Sequence, residues 1–218
     1  IMEKVKTRDE SETFVNPHFN ESYHSFTGAV DEALRKYVEP CRIRELARSG
    51  SFKLLDMFFG LGYNSAMAIS IALEENPECK IEVIGVEKDP LIISKISEVN
   101  PKISFYSNYK KFGEGAKEIS IGGVRVKLLV MDAYDAVKLL ESDYFDAIFY
   151  DPFSPKTQEV MWSVELFEQM ARVLKKKGIL ATYSCARRVR DNMLEAGLVY
   201  DDGPKVGRRG PGTIAFRE

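Results

Sequence analysis

The sequence predicts an α/β fold with a mostly parallel sheet, because apolar, strand-like runs alternate with helical patterns along most of its 218 residues. Two short segments, residues 54–64 and 149–155, each contain the end of an apolar run and an aspartate followed by a turn or loop. Both therefore lie at carboxyl ends of predicted strands, the edge of an open α/β sheet where ligands bind. We expect a seven-stranded sheet that closes with a terminal antiparallel hairpin.

The chain is expected to have two parts. Residues 1–48 form an N-terminal segment with short helices that covers the ligand edge, and residues 49–218 form the main domain. Six ranges read as strands before the terminal hairpin. The sixth follows a predicted helix whose end is rich in lysine, at Lys175–Lys177. The predicted strands are 52–57, 81–86, 118–121, 124–130, 145–150, 179–183, a short one at 199 and 213–216, and the predicted helices are 28–37, 43–48, 64–73, 90–98, 134–140, 159–174 and 187–196.

Composition excludes several classes of protein. No stretch approaches the ~20 apolar residues of a membrane span, and the charged N-terminus lacks the apolar run of a signal peptide. Three scattered cysteines and two histidines favour reduced thiols in a cytoplasmic protein over a disulfide framework or a zinc site. The last third of the chain is basic whereas the rest is acidic. This permits a phosphate-bearing partner, although an ordinary solvated surface fits equally well.

The segment 54–64, together with the ends of two later strands, has features of a nucleotide-like cofactor site. Gly60 and Gly62 let the turn after the first strand close tightly and let a ligand approach. Glu87 ends the next strand, where a carboxylate can accept hydrogen bonds from ribose hydroxyls. Asp132, followed by Ala133, ends another strand and is placed to accept from an adenine amino group.

S-adenosyl-L-methionine fits these residues better than a dinucleotide does. The dinucleotide fingerprint needs a third glycine, which is missing after Gly62. The acidic Asp56 suits the cationic amino acid end of S-adenosyl-L-methionine better than it suits a pyrophosphate. We therefore expect a Rossmann-like methyltransferase fold, with a purely structural strand-to-helix turn as the alternative.

The loop that ends the second segment, residues 151–155, has features of a substrate site. Its two prolines stiffen the loop and so hold Asp151 and Phe153 in defined directions. The carboxylate can accept hydrogen bonds from a substrate amine, and the ring can stack on a base or contact a cation. The alternative is a helix-entry loop in which Ser154 or Thr157 caps the following helix.

Together these segments resemble the methyltransferase half of the bacterial bifunctional enzyme that forms 5-methylaminomethyl-2-thiouridine at the tRNA wobble position. The resemblance runs in order from about residue 14 to residue 217. Its most specific part is the Asp-x-Phe-Ser-Pro segment with the Met-Trp pair that follows it. The matching segments in this chain are Tyr23-His24-Ser25, Asp56 to Asn64, Asp151 to Pro155, Met161-Trp162, Ala181-Thr182-Tyr183 and Gly207-Arg208-Arg209.

The resemblance implies methylation of the primary amine of 5-aminomethyl(-2-thio)uridine in the anticodon stem-loop of tRNA. Asp151 and Phe153 would be the catalytic pair, without a metal. The residues expected to bind S-adenosyl-L-methionine are Tyr23, Ser25, Asp56, Gly60, Gly62, Asn64, Glu87, Asp132 and Ala133. The residues expected to contact RNA are Arg187, Arg188, Arg208 and Arg209, with Arg190, Lys205 and lysines 175–177 as weaker candidates and an ordinary solvated surface as the alternative.

Two departures from the family pattern are visible. The first glycine of the family's cofactor motif is replaced by Phe58, and the FAD-dependent oxidase half has no counterpart in this sequence. A separate enzyme would then supply the free amine. Two other functions stay open: a transferase for a small-molecule amine, such as an aminopropyl transferase related to spermidine synthase, and a non-catalytic module that binds RNA or a partner enzyme.

Overall fold

The computed structural model describes residues 2–206 and 210–217. Its centre is an eight-stranded sheet and not the expected seven-stranded one, because both arms of the hairpin through Gly122-Gly123 and both arms of the terminal hairpin belong to it. The strands of this sheet are β4 (Ser51–Met57), β5 (Lys80–Glu87), β6 (Glu118–Ile121), β7 (Val124–Val130), β8 (Phe145–Tyr150), β9 (Leu174–Thr182), β10 (Leu198–Asp202) and β11 (Thr213–Arg217).

The sheet is parallel at its centre and antiparallel at both edges. Its strand order is β10-β11-β9-β8-β4-β5-β7-β6. The four central pairings are parallel, whereas β6 and the terminal hairpin of β10 and β11 run antiparallel to their neighbours. The chain order reverses direction at β4, so the carboxyl ends of β4, β5 and β8 meet where a crevice forms in such sheets. The predicted mostly parallel sheet and its terminal hairpin are confirmed.

Helices cover both faces of the sheet. Several of them tighten into 3₁₀ turns at an end, and the first continues from an α-helical turn into a π-helical stretch. The helices are α1 (Ala29–Glu32, continued by Ala33–Val38), α2 (Ile43–Arg48), α3 (Tyr63–Glu75), α4 (Pro90–Ser94, continued by Lys95–Glu98), α5 (Lys110–Gly113, preceded by Tyr106–Tyr109), α6 (Ala133–Ala136, continued by Val137–Leu139), α7 (Val164–Val173) and α8 (Arg187–Glu195).

The predicted helix over residues 159–174 is divided in the structure. A 3₁₀ turn, Glu159–Trp162, is separated from α7 by Ser163, whose extended backbone and side-chain oxygen cap the first turn of α7. The strand β9 then begins at once with Leu174, so lysines 175–177 lie in a strand and not at a helix end. Because β9 runs parallel to β8, these lysines lie at the amino edge of the sheet, away from the ligand edge.

The N-terminal segment packs against the main domain. Its small antiparallel sheet contains β1 (Glu3–Lys6), β2 (Glu12–Asn16) and β3 (Glu21–Ser22). Buried residues of this segment, among them Phe14 and Tyr37, belong to one apolar cluster with Leu54 and Phe149 of the central strands. Burial in a shared cluster holds the segment against the sheet. Among residues 2–206 and 210–217, no helix is long and apolar enough to cross a membrane.

Candidate active site

A cavity of about 400 Å³ lies at the carboxyl edge of the parallel strands, under the N-terminal segment. Its walls come from the segment before α1, from α1 itself, and from the loops after β4, β5, β7 and β8. Two of the predicted site residues, Asp56 and Gly62, are not on its wall. The predicted residues that line it are Tyr23, Ser25, Gly60, Asn64, Glu87, Asp132, Ala133, Asp151 and Phe153.

Glu87 joins the two loops that the sequence assigns to the cofactor. Its Oε2 accepts from the backbone N–H of Gly60 at 2.9 Å and its Oε1 accepts from that of Asp89 at 2.9 Å. Burial raises the pKa of Glu87, and the two backbone hydrogen bonds oppose this rise. Each carboxylate oxygen keeps a second lone pair, so Glu87 can still accept from ribose hydroxyls.

The loop after β7 places Asp132 and Ala133 at the opening. Asp132 forms an ion pair with Lys88 at 2.9 Å, and its Oδ1 accepts from the backbone N–H of Tyr134 at 3.0 Å. The Lys88 ammonium is the main reason why the pKa of Asp132 is lowered. Asp132 is therefore ionised at neutral pH and caps the helix that Ala133 begins.

Asp56 is placed differently from the expectation. Its side chain is fully buried beneath the turn, where Oδ2 accepts from the backbone N–H of Ser65 at 3.2 Å and Oδ1 has no partner among the described residues. Burial raises its pKa to about 7. The sequence shows that an acid ends the strand but not which way it points, and here it supports the turn instead of facing the cavity.

Gly62 is required for packing. It has a left-handed φ of 76°, and a Cβ at this position would lie 2.6 Å from Phe59 and 2.8 Å from Tyr109. Phe59 packs under the turn, with its ring centre 5.5 Å from that of Tyr109. Gly62 therefore lets α3 begin against these rings and does not line the cavity.

Phe58 occupies a backbone conformation that suits glycine. Its φ is 69°, which costs a residue with a Cβ roughly 1–2 kcal/mol. The ring lines the cavity and packs edge-on against Tyr150 at 5.2 Å between ring centres. This contact offsets part of the strain, and the ring narrows the cavity beside Gly60.

Asp151 is held in the cavity by two side-chain donors. The Tyr37 hydroxyl donates to its Oδ1 at 2.5 Å, and the Asn64 amide donates to its Oδ2 at 3.0 Å. Burial raises the pKa of Asp151 to about 7, although both donors favour the charged form and oppose the rise. A carboxyl group with this pKa exchanges a proton near neutral pH far more readily than an ordinary aspartate does.

The loop after Asp151 is held by both its neighbours and the N-terminal segment. Tyr183 donates to the Pro152 carbonyl at 2.9 Å and Trp162 donates to the Phe153 carbonyl at 2.9 Å. The side chains of Ser154 and Thr157 donate to Glu21. Since Ser163 caps α7, the alternative in which Ser154 or Thr157 caps that helix is wrong.

The N-terminal Tyr23-His24-Ser25 segment forms one wall of the cavity. The Tyr23 ring lies 5.0 Å from that of Phe153, and its hydroxyl donates to Asp89 at 2.9 Å. His24 stacks on Tyr63 at 4.7 Å, and burial lowers its pKa to about 4. His24 is thus neutral at pH 7 and its ring serves packing.

Three of the lining residues that were not predicted from the sequence lie in α1. In α1, Lys36 donates to Glu32 as a buried ion pair, and Glu32 also accepts from the Ser25 backbone N–H at 3.0 Å. Tyr37, one residue further, holds Asp151. A glutamate and a lysine four residues apart are common on exposed helices, so their spacing carries no signal of burial.

The charge of the cavity suits a cationic ligand. Five carboxylates line it against two ammonium groups, and both lysines are already paired, Lys36 with Glu32 and Lys88 with Asp132. S-adenosyl-L-methionine carries a sulfonium cation and an adenosine, which match this acidic lining and the acceptor at Glu87. Among the described residues, no group of three or more histidine, cysteine or acidic side chains could hold a metal ion.

The predicted RNA contacts are only partly visible. Arg187 and Arg188 begin α8, just after the carboxyl end of β9, and Arg188 is ion-paired with Glu159 beside the cavity. Arg187 is almost fully exposed, 3.9 Å from Asp191. The other two, Arg208 and Arg209, lie outside the described residues.

Comparison with known proteins places this geometry in a family. The profile of a family described as S-adenosyl-L-methionine-dependent methyltransferase matches residues 99–218. The solved structure of MnmC2 from Aquifex aeolicus is 30% identical, with a TM-score of 0.85 over 99% of this chain and 70% of that one. Spermidine synthase from Thermotoga maritima, 12% identical with a TM-score of 0.55 over 99% of this chain and 71% of that one, shares the fold alone.

A curated relative is the tRNA 5-methylaminomethyl-2-thiouridine biosynthesis bifunctional protein MnmC of Pseudomonas entomophila. It is 26% identical over 88% of this chain and 32% of its own length. The chain spans 32% to 59% of the length of the first curated relatives that it matches. The similarity to MnmC therefore concerns its methyltransferase half.

Proposed function

The chain belongs to the family of S-adenosyl-L-methionine-dependent methyltransferases that includes MnmC2 of Aquifex aeolicus, and we propose that it methylates the aminomethyl nitrogen of 5-aminomethyl(-2-thio)uridine at the tRNA wobble position. The observation that carries the proposal is Asp151, a half-buried carboxylate held by two donors in an acidic cavity that it shares with Glu87. The relative MnmC of Pseudomonas entomophila is named for the biosynthesis of 5-methylaminomethyl-2-thiouridine in tRNA, the methylated product of this reaction, and this supports the choice of substrate.

The proposed reaction needs a neutral amine. Bound S-adenosyl-L-methionine would supply an electrophilic methyl group, held by residues such as Glu87, Gly60, Asp132 and Tyr23. An alkylamine has a pKa of about 10 and is mostly protonated at pH 7. Asp151 orients the ammonium group through its free lone pairs and accepts a proton from it, since burial has raised the pKa of this carboxyl to about 7.

The other side chains near Asp151 keep it in place. Tyr37 and Asn64 fix the plane of the carboxylate, while the paired Lys36 and Glu32 add no net charge beside it. The ring of Phe153 offers a face for the uracil base. Positioning of two reactants can supply roughly 7–11 kcal/mol, more than proton transfer alone, so the rigid setting of Asp151 matters as much as its basicity.

The direct test is a methyl-transfer assay. The protein is incubated with labelled S-adenosyl-L-methionine and tRNA from cells that lack the modification, and the nucleosides are then analysed. We expect label in a methylaminomethyl(-thio)uridine. Label in another nucleoside, or only in small amines, would contradict the substrate assignment, and the absence of S-adenosyl-L-methionine binding would favour a non-catalytic module.

The pH profile should report on Asp151. We expect kcat/KM at saturating S-adenosyl-L-methionine to rise with pH through about 7, because the deprotonated carboxylate is the active form. In Tyr37→Phe, the loss of a donor to the carboxylate disfavours its charged form and raises its pKa. The rising limb should therefore move upward by about one pH unit. A limb that stays in place in Tyr37→Phe would contradict the assignment.

A further inference from the structure

Phe26 has an unusual position for a large apolar residue. It lines the cavity, yet it is 56% exposed, whereas most large apolar side chains of the protein are buried. Its ring makes none of the close aromatic contacts found among the described residues, in contrast to Phe19 and Tyr23 nearby in the chain. An exposed ring at the mouth of a polar cavity offers a free flat face.

Phe26 follows a residue that is tied to α1 beside Asp151. It follows Ser25, whose backbone N–H donates to Glu32, and Glu32 holds Lys36 close to the Asp151 carboxylate. Tyr23, three residues before Phe26, contacts both ends of the cavity, since its ring packs on Phe153 and its hydroxyl donates to Asp89. The chain next to the free ring is therefore joined to the α1 residues beside Asp151, where the substrate is proposed to bind.

Two exposed cations belong to segments that adjoin the lining of the cavity. The backbone N–H of Arg8 donates to the Phe26 carbonyl at 3.0 Å, and Lys156 lies between Ser154 and Gln158, which both line the cavity. Both cations are exposed, and within residues 2–206 and 210–217 neither side chain forms an ion pair or a hydrogen bond. Arg188 and Lys88, at the same edge, are already paired with carboxylates.

We propose that Phe26 is a stacking platform for a nucleobase next to the methylated nucleotide in a single-stranded RNA loop, with Arg8 and Lys156 binding the adjoining phosphates. This inference rests on the proposed function and adds a surface to it. The acidic interior selects the amine, whereas the free ring and the unpaired cations at the mouth select the nucleic acid that carries it. Base stacking on an exposed aromatic ring and phosphate binding by lysine and arginine are how proteins hold single-stranded RNA.

The test compares wild type with Phe26→Ala, Phe26→Leu and Phe26→Tyr. The dissociation constant is measured for a labelled anticodon stem-loop RNA, with S-adenosyl-L-methionine binding followed separately by calorimetry. We expect the alanine and leucine variants to bind RNA about tenfold more weakly than wild type, which corresponds to the loss of about 1.4 kcal/mol of stacking. The tyrosine variant should bind RNA as wild type does. The affinity for S-adenosyl-L-methionine should not change in any of the variants. An unchanged affinity would show that they are folded.

The phosphate contacts have a test of their own. In the Arg8→Ala and Lys156→Ala double variant, the slope of log K against log salt concentration should fall by about 1.4, the value for two contacts to a single strand. Lys176→Ala with Lys177→Ala is the matched control, because it removes two exposed lysines at the opposite edge of the sheet. The control should leave the slope unchanged.

The outcomes separate this inference from the proposed function. If the wild-type protein binds the stem-loop but methylates nothing, the proposed function is wrong while the binding data still judge the role of Phe26. RNA binding that is equal in wild type and Phe26→Ala, or absent in wild type, would overturn the inference. Weaker S-adenosyl-L-methionine binding in Phe26→Ala would also overturn it, by placing the ring in the cofactor site.

Discussion

Asp151→Ala is expected to lower the methyl-transfer rate at saturating substrates by at least about a hundredfold, and to leave the dissociation constant of S-adenosyl-L-methionine within about twofold of wild type. In the proposed reaction this half-buried carboxylate both orients the amine and accepts its proton, and its two donors hold it in one direction. The elements assigned to the cofactor, Glu87 and Gly60, hold each other without Asp151. Single-turnover kinetics and calorimetry measure the two quantities separately.

Two further variants sharpen this result. Asp151→Asn keeps an oxygen that can accept a hydrogen bond but removes the base, so near-wild-type turnover in Asp151→Asn would show that Asp151 only positions the amine. Asp146→Ala is the matched control, because it removes a carboxylate from the same strand, at the end remote from the cavity, where it pairs with Lys175 at 2.8 Å. Normal turnover in Asp151→Ala would refute the assignment altogether.

Strand-end acids show what the sequence could and could not predict. Glu87, Asp132 and Asp151 were expected at the ligand edge, since each follows a clear apolar strand, and all three line the cavity. Asp56 follows the same rule but points beneath the turn, toward the backbone of Ser65. The position of a strand end follows from hydrophobic pattern, whereas the direction of its last side chain depends on how the next turn packs.

The N-terminal part of the site was predictable only in outline. The Tyr23-His24-Ser25 segment was expected to cover the cavity, but the residues of α1 that complete it were not identified. Tyr37 lies 114 residues before Asp151 in the chain, and only the packing of α1 on the sheet brings the two side chains together. Similarly, three consecutive lysines fit both a helix end and the exposed start of a strand, and the structure adopts the second.

Phe58 and Gly62 lie in the same turn but differ in whether the surrounding structure leaves space for a side chain. Phe58 has the left-handed φ that the family's glycine would have, and its ring finds a partner in Tyr150. Gly62 cannot carry a side chain in the same way, because the space that a side chain would need is filled by the ring of Phe59. A side chain is therefore tolerated at the first of these turn positions and excluded at the later one.

Gly62→Ala is expected to destabilise the protein by about 2–5 kcal/mol, which combines the cost of a left-handed residue with a Cβ and that of overpacking. The added Cβ would lie 2.6 Å from Phe59 and 2.8 Å from Tyr109, and both rings are buried and cannot move aside cheaply. For a chain of this size the loss corresponds to a fall in Tm of roughly 5–15 °C, measured by calorimetry.

Gly197→Ala is the control that isolates the packing effect. Gly197 has a similar φ of 83°, but a Cβ there would meet nothing within 4 Å. This variant should lose only about 1–2 kcal/mol, the conformational cost alone. Equal falls in Tm for the two variants would show that Gly62 is needed only for its backbone conformation. If Gly62→Ala instead kept its Tm and lost S-adenosyl-L-methionine binding, Gly62 would be a cofactor contact after all, as the sequence alone predicts.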